Sequence, residues 1–401
     1  GVPRAFGSMP DTDWSKTTVE EVAANTPAVD EDADKTMLKE AIEQHKANGL
    51  QIPMFQRLLW RDSKSEEVGG AEYWNVVSAS TNKEAINNSG SAIYLLGGLY
   101  DVFRRDTFVM FENLSTEKKL TIGPWYHTKP KVDPNWEVEQ LRWFDYHLKG
   151  IDNGIMDEEP IYLKTANQTE NNGYSWHSEW PVDGGTSTNY YLSGTDDALK
   201  LASEKTSSET YTDYQAVYGI KTGVESTDSK DVDEKGLCFT TDAFEEDFTI
   251  TGHTMAHLNF EMLTDDQDVD FFVTVSDYNP TTGESFLFDD GHLRASLRKT
   301  AEAPYDFLGL PWHPDNTGDN EYLEKGQIYT LDIDLMPTSY IVPAGHCLRV
   351  TVSNSMDRFY YLGRSAYEEN PECATPKIRL FTGGENASYL EFPNIYAPSN
   401  T

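Results

Sequence analysis

Two short segments carry residues that could perform chemistry together, GGLYDVF at 97–103 and TIGPWYH at 121–127. Asp101 and His127 each follow an apolar run that contains glycine, so each stands at the C-terminal end of a predicted buried strand, where open α/β sheets bind ligands. An imidazole that takes a nucleophile's proton and a carboxylate that fixes its tautomer are two members of a Ser-His-Asp triad. In α/β-hydrolases the three triad residues follow one another along the chain in the order Ser, Asp, His, and Asp101 precedes His127 here. The pair therefore favours acyl transfer, although an N-cap aspartate and a loop histidine would give the same pattern.

The elements around this pair alternate between strand and helix. SAIYLLGG at 91–98 and KKLTIGPW at 118–125 are short apolar runs that predict buried strands. Helices are predicted at 101–114 and 133–150. This alternation is typical of a parallel α/β sheet.

The predicted helix at 133–150 has clear start and stop signals. Asp133 is the expected N-cap, Pro134 the first helical residue and Gly150 the stop. Its apolar stripe consists of Val138, Leu141, Phe144 and Leu148.

The flanking regions have different patterns. Residues 1–90 are mostly helical in pattern, with the clearest helices predicted at 36–49 and 71–80. After about residue 155 the helical periodicity disappears, and many short strand-like runs follow, beginning with PIYLKTA at 160–166 and separated by Gly, Asn and Asp. Such runs predict an all-β sandwich of the jelly-roll type.

Composition excludes several classes of function. The 401 residues carry a net charge of −35, which argues against a nucleic-acid partner because such binding depends on a basic surface. The charge indicates a solvated acidic surface, and adaptation to high salt is the alternative. No apolar stretch is long enough to span a membrane, and the three cysteines show no metal-binding spacing. We therefore predict no membrane, metal or cofactor association, and localisation stays undecided.

A series of motifs in order resembles the cocaine-esterase / X-Pro dipeptidyl-peptidase (CocE/NonD) serine hydrolase family. GGLYDVF and IGPWYH are followed by RWFDYHLKGIDNGIMDEEPIYLKT at 142–165. The resemblance continues through 237–253, 268–298 and 339–355. It implies a partial α/β-hydrolase fold with a helical cap at 1–90, the C-terminal half of the hydrolase domain at 91–155 and the jelly-roll domain at 156–401.

The resemblance also implies roles for single residues. Asp101 would be the triad acid and His127 the general base. Phe103 borders the active site in this family, Tyr100 fits an aromatic position beside the acid, and Trp125 is a pocket candidate for which core packing is an equal alternative. No cofactor is implied.

The family's nucleophile lies in a G-x-S-Y-x-G elbow, and this sequence has no such elbow. Ser365 and Ser8 stand in poor imitations of it, and we assign the nucleophile to neither. We therefore expect the serine and the oxyanion hole on an absent N-terminal half of the same hydrolase, which would be this chain's partner. Homo-oligomerisation is also possible. The chain alone is expected to be inactive.

Three functions stay open on the sequence. Hydrolysis of an ester or small acyl substrate comes first, and release of an N-terminal dipeptide with proline second. The three residues directly after Asp101 are Val102, Phe103 and Arg104, so no carboxylate stands there to bind a cationic α-amino group. A non-catalytic scaffold that binds through the β-sandwich is the alternative from another class.

Overall fold

The computed structural model describes residues 18–46, 57–127, 135–182, 186–195, 198–220, 227–356 and 375–393. The α-helices in these ranges, labelled α1 to α7 in chain order, are Val19–Asn25, Thr36–Lys46, Tyr73–Val77, Lys83–Asn87, Arg104–Asn113, Trp136–Lys149 and Lys230–Lys235. The strands, labelled β1 to β17 in chain order, are Lys64–Ser65, Ala71–Glu72, Ile93–Gly98, Lys118–Gly123, Ile161–Lys164, Tyr174–His177, Thr188–Ser193, Lys200–Ala202, Tyr211–Gln215, Leu237–Thr240, Phe248–Met262, Asp270–Tyr278, Ser285–Arg294, Ile328–Val342, Cys347–Ser353, Lys377–Phe381 and Tyr389–Phe392.

A four-stranded sheet in the order β3-β4-β5-β6 forms the α/β part. The strands β3, β4 and β5 are parallel, and β6 is antiparallel to β5. Helix α5 packs on one face, where Phe108 and Phe111 join a buried cluster with Leu120 and Ile122. Helix α6 packs on the other face, where the Trp143 ring lies 5.2 Å from that of Tyr94. The strands predicted at 91–98 and 118–125 and the helix predicted at 101–114 are confirmed, with ends shifted by at most three residues.

One predicted strand lies in a different sheet from the one expected. The segment PIYLKTA, assigned from sequence to the sandwich, contains β5, which pairs in parallel with β4. Ile161 and Leu163 point into the cluster on the α5 face, so burial on that face fixes the strand there. The four-stranded sheet consequently reaches His177, beyond the boundary expected near residue 155.

Helix α6 turns its predicted apolar stripe to solvent. The four side chains of the stripe are between 46% and 76% exposed, while Glu139 and Trp143 are the buried residues of this helix. Asn135 caps the helix by accepting a hydrogen bond from the Glu137 amide at 3.0 Å. Asp133 and Pro134 lie outside the described residues. Gly150 ends the helix with φ +67°, as predicted.

Among the residues described before β3, the structure has four short α-helices, α1 to α4, and the two-stranded sheet β1-β2. The predicted helix at 36–49 is present as Thr36–Lys46, and the one at 71–80 is limited to Tyr73–Val77. Ser8 lies outside the described residues. The role of this region as a cap stays a prediction.

The C-terminal part is a β domain in which the eleven strands of the described residues are connected by hydrogen bonds. The long strands β11 and β14 pair antiparallel along most of their length. Their inward side chains form a large buried cluster with residues of β12 and β15. The jelly-roll connectivity stays a prediction.

The α/β part and the β domain are joined by direct contacts. Ala166 exchanges backbone hydrogen bonds with Ser339 and Ile341 of β14, both of 3.0 Å. The Trp180 indole donates to Nε2 of the buried His253 at 3.2 Å. Arg104 and Arg105 of α5 form ion pairs with Asp290 and Asp334. No helix in the described ranges is both long and apolar enough to cross a membrane.

Candidate catalytic site

The site lies where β3 and β4 end side by side, with Gly98 paired to Gly123. Past these glycines the two chains stay hydrogen-bonded, since the Leu99 amide donates to the Gly123 carbonyl at 2.7 Å and the Tyr100 amide to the Trp125 carbonyl at 3.2 Å. A Cβ on Gly98 would lie 2.3 Å from that Trp125 oxygen. Glycine is therefore required for the close approach of the two loops.

Asp101 and His127 meet in this position. The Asp101 Oδ2 lies 2.8 Å from Nδ1 of His127, and its Oδ1 accepts a hydrogen bond from the Phe103 amide at 3.3 Å. Asp101 is buried, whereas the His127 side chain is 60% exposed. Because Nδ1 is occupied by the carboxylate, Nε2 is the nitrogen that can accept a proton from an approaching nucleophile.

Tyr100 and Tyr126, the residues directly before the pair, anchor both loops on the β domain. Their rings lie 5.6 Å apart, and the Tyr100 ring is 6.1 Å from that of Phe286 in β13. Tyr100 belongs to the buried cluster of the β domain, and Tyr126 packs against it. The burial of Tyr100 supports an anchoring role for it. Its predicted contact with substrate stays untested.

Trp125 is also buried, with its ring atoms against Gly98 and Gly123. This position favours core packing, the alternative to pocket lining. Phe103, in contrast, is 49% exposed, and its ring lies 5.7 Å from the His127 ring. Of the three pocket candidates, Phe103 is the one that faces open space beside Asp101 and His127.

Phe103 also lines a cavity of about 670 Å³. Its walls come from the segment before β3, from α5 and from the loop after β13, and they include Leu58, Trp60, Trp74, Val77, Asp106, Met110 and Tyr305. Desolvation by neighbouring side chains raises the pKa of Asp106, and nearby Arg105 opposes this shift. The sequence patterns missed these walls because they come from segments far apart in the chain.

None of the serines described is hydrogen-bonded to His127, whose side chain is hydrogen-bonded to Asp101 and lies beside the Phe103 ring. Ser365 lies outside the described residues. No group of three His, Cys, Asp or Glu residues suited to a metal ion occurs in the part of the chain that the structure describes.

Comparison with known proteins gives two family matches. Residues 6–129 match the family described as X-Pro dipeptidyl-peptidase (S15 family), and residues 153–391 match the X-Pro dipeptidyl-peptidase C-terminal non-catalytic domain. The second match covers more than half of the chain.

Relatives and solved structures agree with these matches. A Mycobacterium tuberculosis protein described as a serine esterase is 28% identical over 92% of this chain and 63% of its own length. The cocaine esterase of Rhodococcus is 24% identical over 86% of this chain and 63% of its length. The chain thus spans 63% of the length of these relatives.

Among solved structures, a CocE/NonD family hydrolase from Staphylococcus aureus superposes with a TM-score of 0.62 at 18% identity, covering 90% of this chain and 62% of that one. An α-amino acid ester hydrolase gives a TM-score of 0.62 at 17% identity, covering 88% and 62%. At these identities the structures establish a shared fold, an α/β-hydrolase with a C-terminal β domain.

Proposed function

The chain belongs to the cocaine-esterase / X-Pro dipeptidyl-peptidase family of serine hydrolases, and we propose on that basis that Asp101 and His127 are the acid and the general base of its catalytic triad. The observation that carries the proposal is the 2.8 Å contact between the Asp101 carboxylate and Nδ1 of His127, at the ends of two parallel strands. A scaffold protein has no requirement for this geometry.

The proposed mechanism is acyl transfer through a covalent intermediate. Nε2 of His127 takes the proton of a serine hydroxyl as that oxygen attacks the substrate carbonyl, and then gives the proton to the leaving group. Asp101 keeps the imidazole in the Nδ1–H tautomer and stabilises the imidazolium that forms. A water molecule, activated by the same imidazole, then hydrolyses the acyl-enzyme.

We propose that the nucleophilic serine lies on the N-terminal half of the same hydrolase, outside these 401 residues. The absence of a G-x-S-Y-x-G elbow from the 401 residues and the greater length of the relatives support this assignment. Two surfaces suit such a partner. In the described sheet β3 pairs with β4 alone, which leaves one edge open, and the stripe of α6 is exposed. Parallel sheets are normally covered on both faces.

For the substrate, we propose an ester or small acyl compound with an apolar group that enters the cavity beside Phe103. The apolar walls contributed by Leu58, Trp74 and Val77 support this choice. A dipeptide with proline at its second position is the second candidate, because the family matches carry that activity in their descriptions.

The test is hydrolysis of p-nitrophenyl esters and X-Pro-nitroanilides by this chain alone and by its complex with the serine-bearing half. We expect activity, and labelling by a fluorophosphonate, in the complex only. Asp101→Asn should lower kcat by about 10⁴-fold, since the wrong tautomer is then favoured. His127→Ala should abolish turnover.

A second aspartate–histidine pair supplies the matched control. Asp332 Oδ1 lies 2.7 Å from Nδ1 of His257, within the paired strands β11 and β14 of the β domain. Asp332→Asn and His257→Ala should leave kcat unchanged. Full activity of the double variant Asp101→Asn with His127→Ala would contradict the proposal.

A further inference from the structure

We propose that the β domain, whose family is described as non-catalytic, positions the triad acid through the buried ion pair of Arg104 and Asp290. This inference rests on the proposed role of Asp101. It makes Arg104 and Asp290 positioning residues, since neither touches the reacting atoms.

The ion pair connects the two parts of the molecule in their interior. The Arg104 side chain is 1% exposed and that of Asp290 is fully buried, and Nη2 of Arg104 donates to Oδ1 of Asp290 at 2.5 Å. Arg104 is the first residue of α5, three positions after Asp101, and Asp290 lies within β13. A buried ion pair fixes geometry strictly because either partner left alone would be a buried charge.

The guanidinium also holds the turn that carries Asp101. Nη1 of Arg104 donates to the Leu99 carbonyl at 2.9 Å, while the amide of Leu99 donates to Gly123 of β4. Leu99, two positions before Asp101, is therefore bonded through its amide to the strand that leads to His127, and its carbonyl is linked to the β domain through Arg104. A planar fork of donors can serve both acceptors at once, which an ammonium group does less well.

Strand β13 supports the site at a second point. Phe286, four positions before Asp290, contacts the ring of Tyr100, which in turn contacts Tyr126. One strand of the β domain thus holds the residues next to both Asp101 and His127. We infer that the orientation of the Asp101 carboxylate toward His127 depends on β13.

The tautomer of His127 depends on how the Asp101 carboxylate is oriented toward it, and it can be measured even in a chain that has no enzymatic activity. We would record ¹⁵N NMR spectra of the histidine rings in this chain at alkaline pH, where imidazoles are neutral. The wild type should show mainly the Nδ1–H form of His127. In Arg104→Lys, and in the charge-neutral double variant Arg104→Met with Asp290→Asn, the ratio of Nδ1–H to Nε2–H should fall by about tenfold, as expected when a charge-assisted hydrogen bond is lost.

The neighbouring ion pair gives a matched control. Arg105 of the same helix pairs with Asp334 of β14, so this ion pair also joins α5 to the β domain. Asp334→Asn should leave the His127 ratio at its wild-type value. Circular dichroism would show that each variant is folded at the temperature of measurement. The double variant avoids an unpaired buried charge, so it keeps the test open if Arg104→Lys does not fold.

Two results would overturn the inference. If the folded Arg104 variants keep the wild-type tautomer ratio, the ion pair does not position Asp101, while the proposed triad is unaffected. If the wild type itself shows mainly the Nε2–H form, the Asp101–His127 hydrogen bond is absent, and both the inference and the proposed function fail.

Discussion

At the scale of single residues, an aspartate beside a histidine is not sufficient evidence of catalysis. Asp101–His127 and Asp332–His257 have nearly the same separation, 2.8 Å and 2.7 Å. The hydrogen bond from His257 lowers the pKa of Asp332, so this second pair is also a real interaction. What distinguishes the first pair is its place after two parallel strands, which the glycine-terminated apolar runs of the sequence predicted. The position of His257 within β11 gave no such signal.

A third histidine, His253, is expected to make stability depend on pH. Burial lowers its pKa to about 3, and the positive charges of Arg105 and Arg104 act in the same direction. The unfolded chain binds a proton at this residue near pH 6.5 and the folded chain does not, so stability is lost as pH falls below about 6.5. We predict a loss of roughly 2 kcal/mol between pH 7 and pH 5 from this residue alone.

Urea unfolding of the wild type and of His253→Gln at both pH values would measure this contribution. The variant should lose less stability than the wild type over the interval, by about the same roughly 2 kcal/mol. Equal pH dependence in the two proteins would contradict the assignment. Because both proteins contain the same carboxylates, the difference between their losses of stability removes the contribution of these groups.

At the scale of elements, helix α6 shows where periodicity stops being informative. An apolar stripe at helical spacing normally faces the core, and the sequence indicated such a stripe at 138–148. In the structure this stripe is exposed and the sheet-facing side carries Trp143, with Glu139 paired to Arg142. The pattern identified the helix correctly, but periodicity did not show that Trp143 and Glu139, rather than the stripe, form its buried side.

The close approach of the β3 and β4 ends can be tested with a single methyl group. Gly98→Ala should destabilise the chain by about 1–3 kcal/mol, because the new Cβ would meet the Trp125 backbone carbonyl, which cannot rotate away. The substitution should also shift the loop after β4, which carries His127. Thermal unfolding and the His127 NMR signals would measure the two effects.

Gly97→Ala is the neighbouring comparison. There the new Cβ would first meet a methyl group of Thr107 and the end of Ile122, which are side-chain atoms that can shift. We expect a smaller loss of stability than for Gly98→Ala and unchanged His127 signals. Equal effects of the two substitutions would show that the backbone contact at Gly98 is not the constraint we describe.

At the scale of the whole molecule, the sequence predicted the order of an α/β part followed by a β domain but not the contacts between them. β5 was assigned to the wrong sheet because a short alternating run is expected for a strand of the α/β part and for a strand of the β domain alike. The Arg104–Asp290 ion pair joins residues 186 positions apart, and no periodicity or motif links charges so distant. Such contacts depend on how complete layers pack, which local patterns do not encode.

The exposed stripe leads to a prediction about association. Apolar side chains that lie together on a surface mark an interaction site, so the isolated chain should self-associate through α6. The net charge of −35 opposes this, and added salt should strengthen association by screening the repulsion. Sedimentation velocity over a range of protein and salt concentrations would measure both effects.

Leu141→Gln combined with Leu148→Gln should weaken this self-association by about tenfold or more, since each buried leucine contributes about 1.5–3 kcal/mol and 1.4 kcal/mol is tenfold in Kd. Both side chains are exposed, so the stability of the monomer should change by only about 0.5 kcal/mol for each substitution. Tyr322→Gln, at an equally exposed site after β13, is the control and should have no effect. A wild-type chain that stays monomeric at high salt would contradict the assignment of this face as an interface.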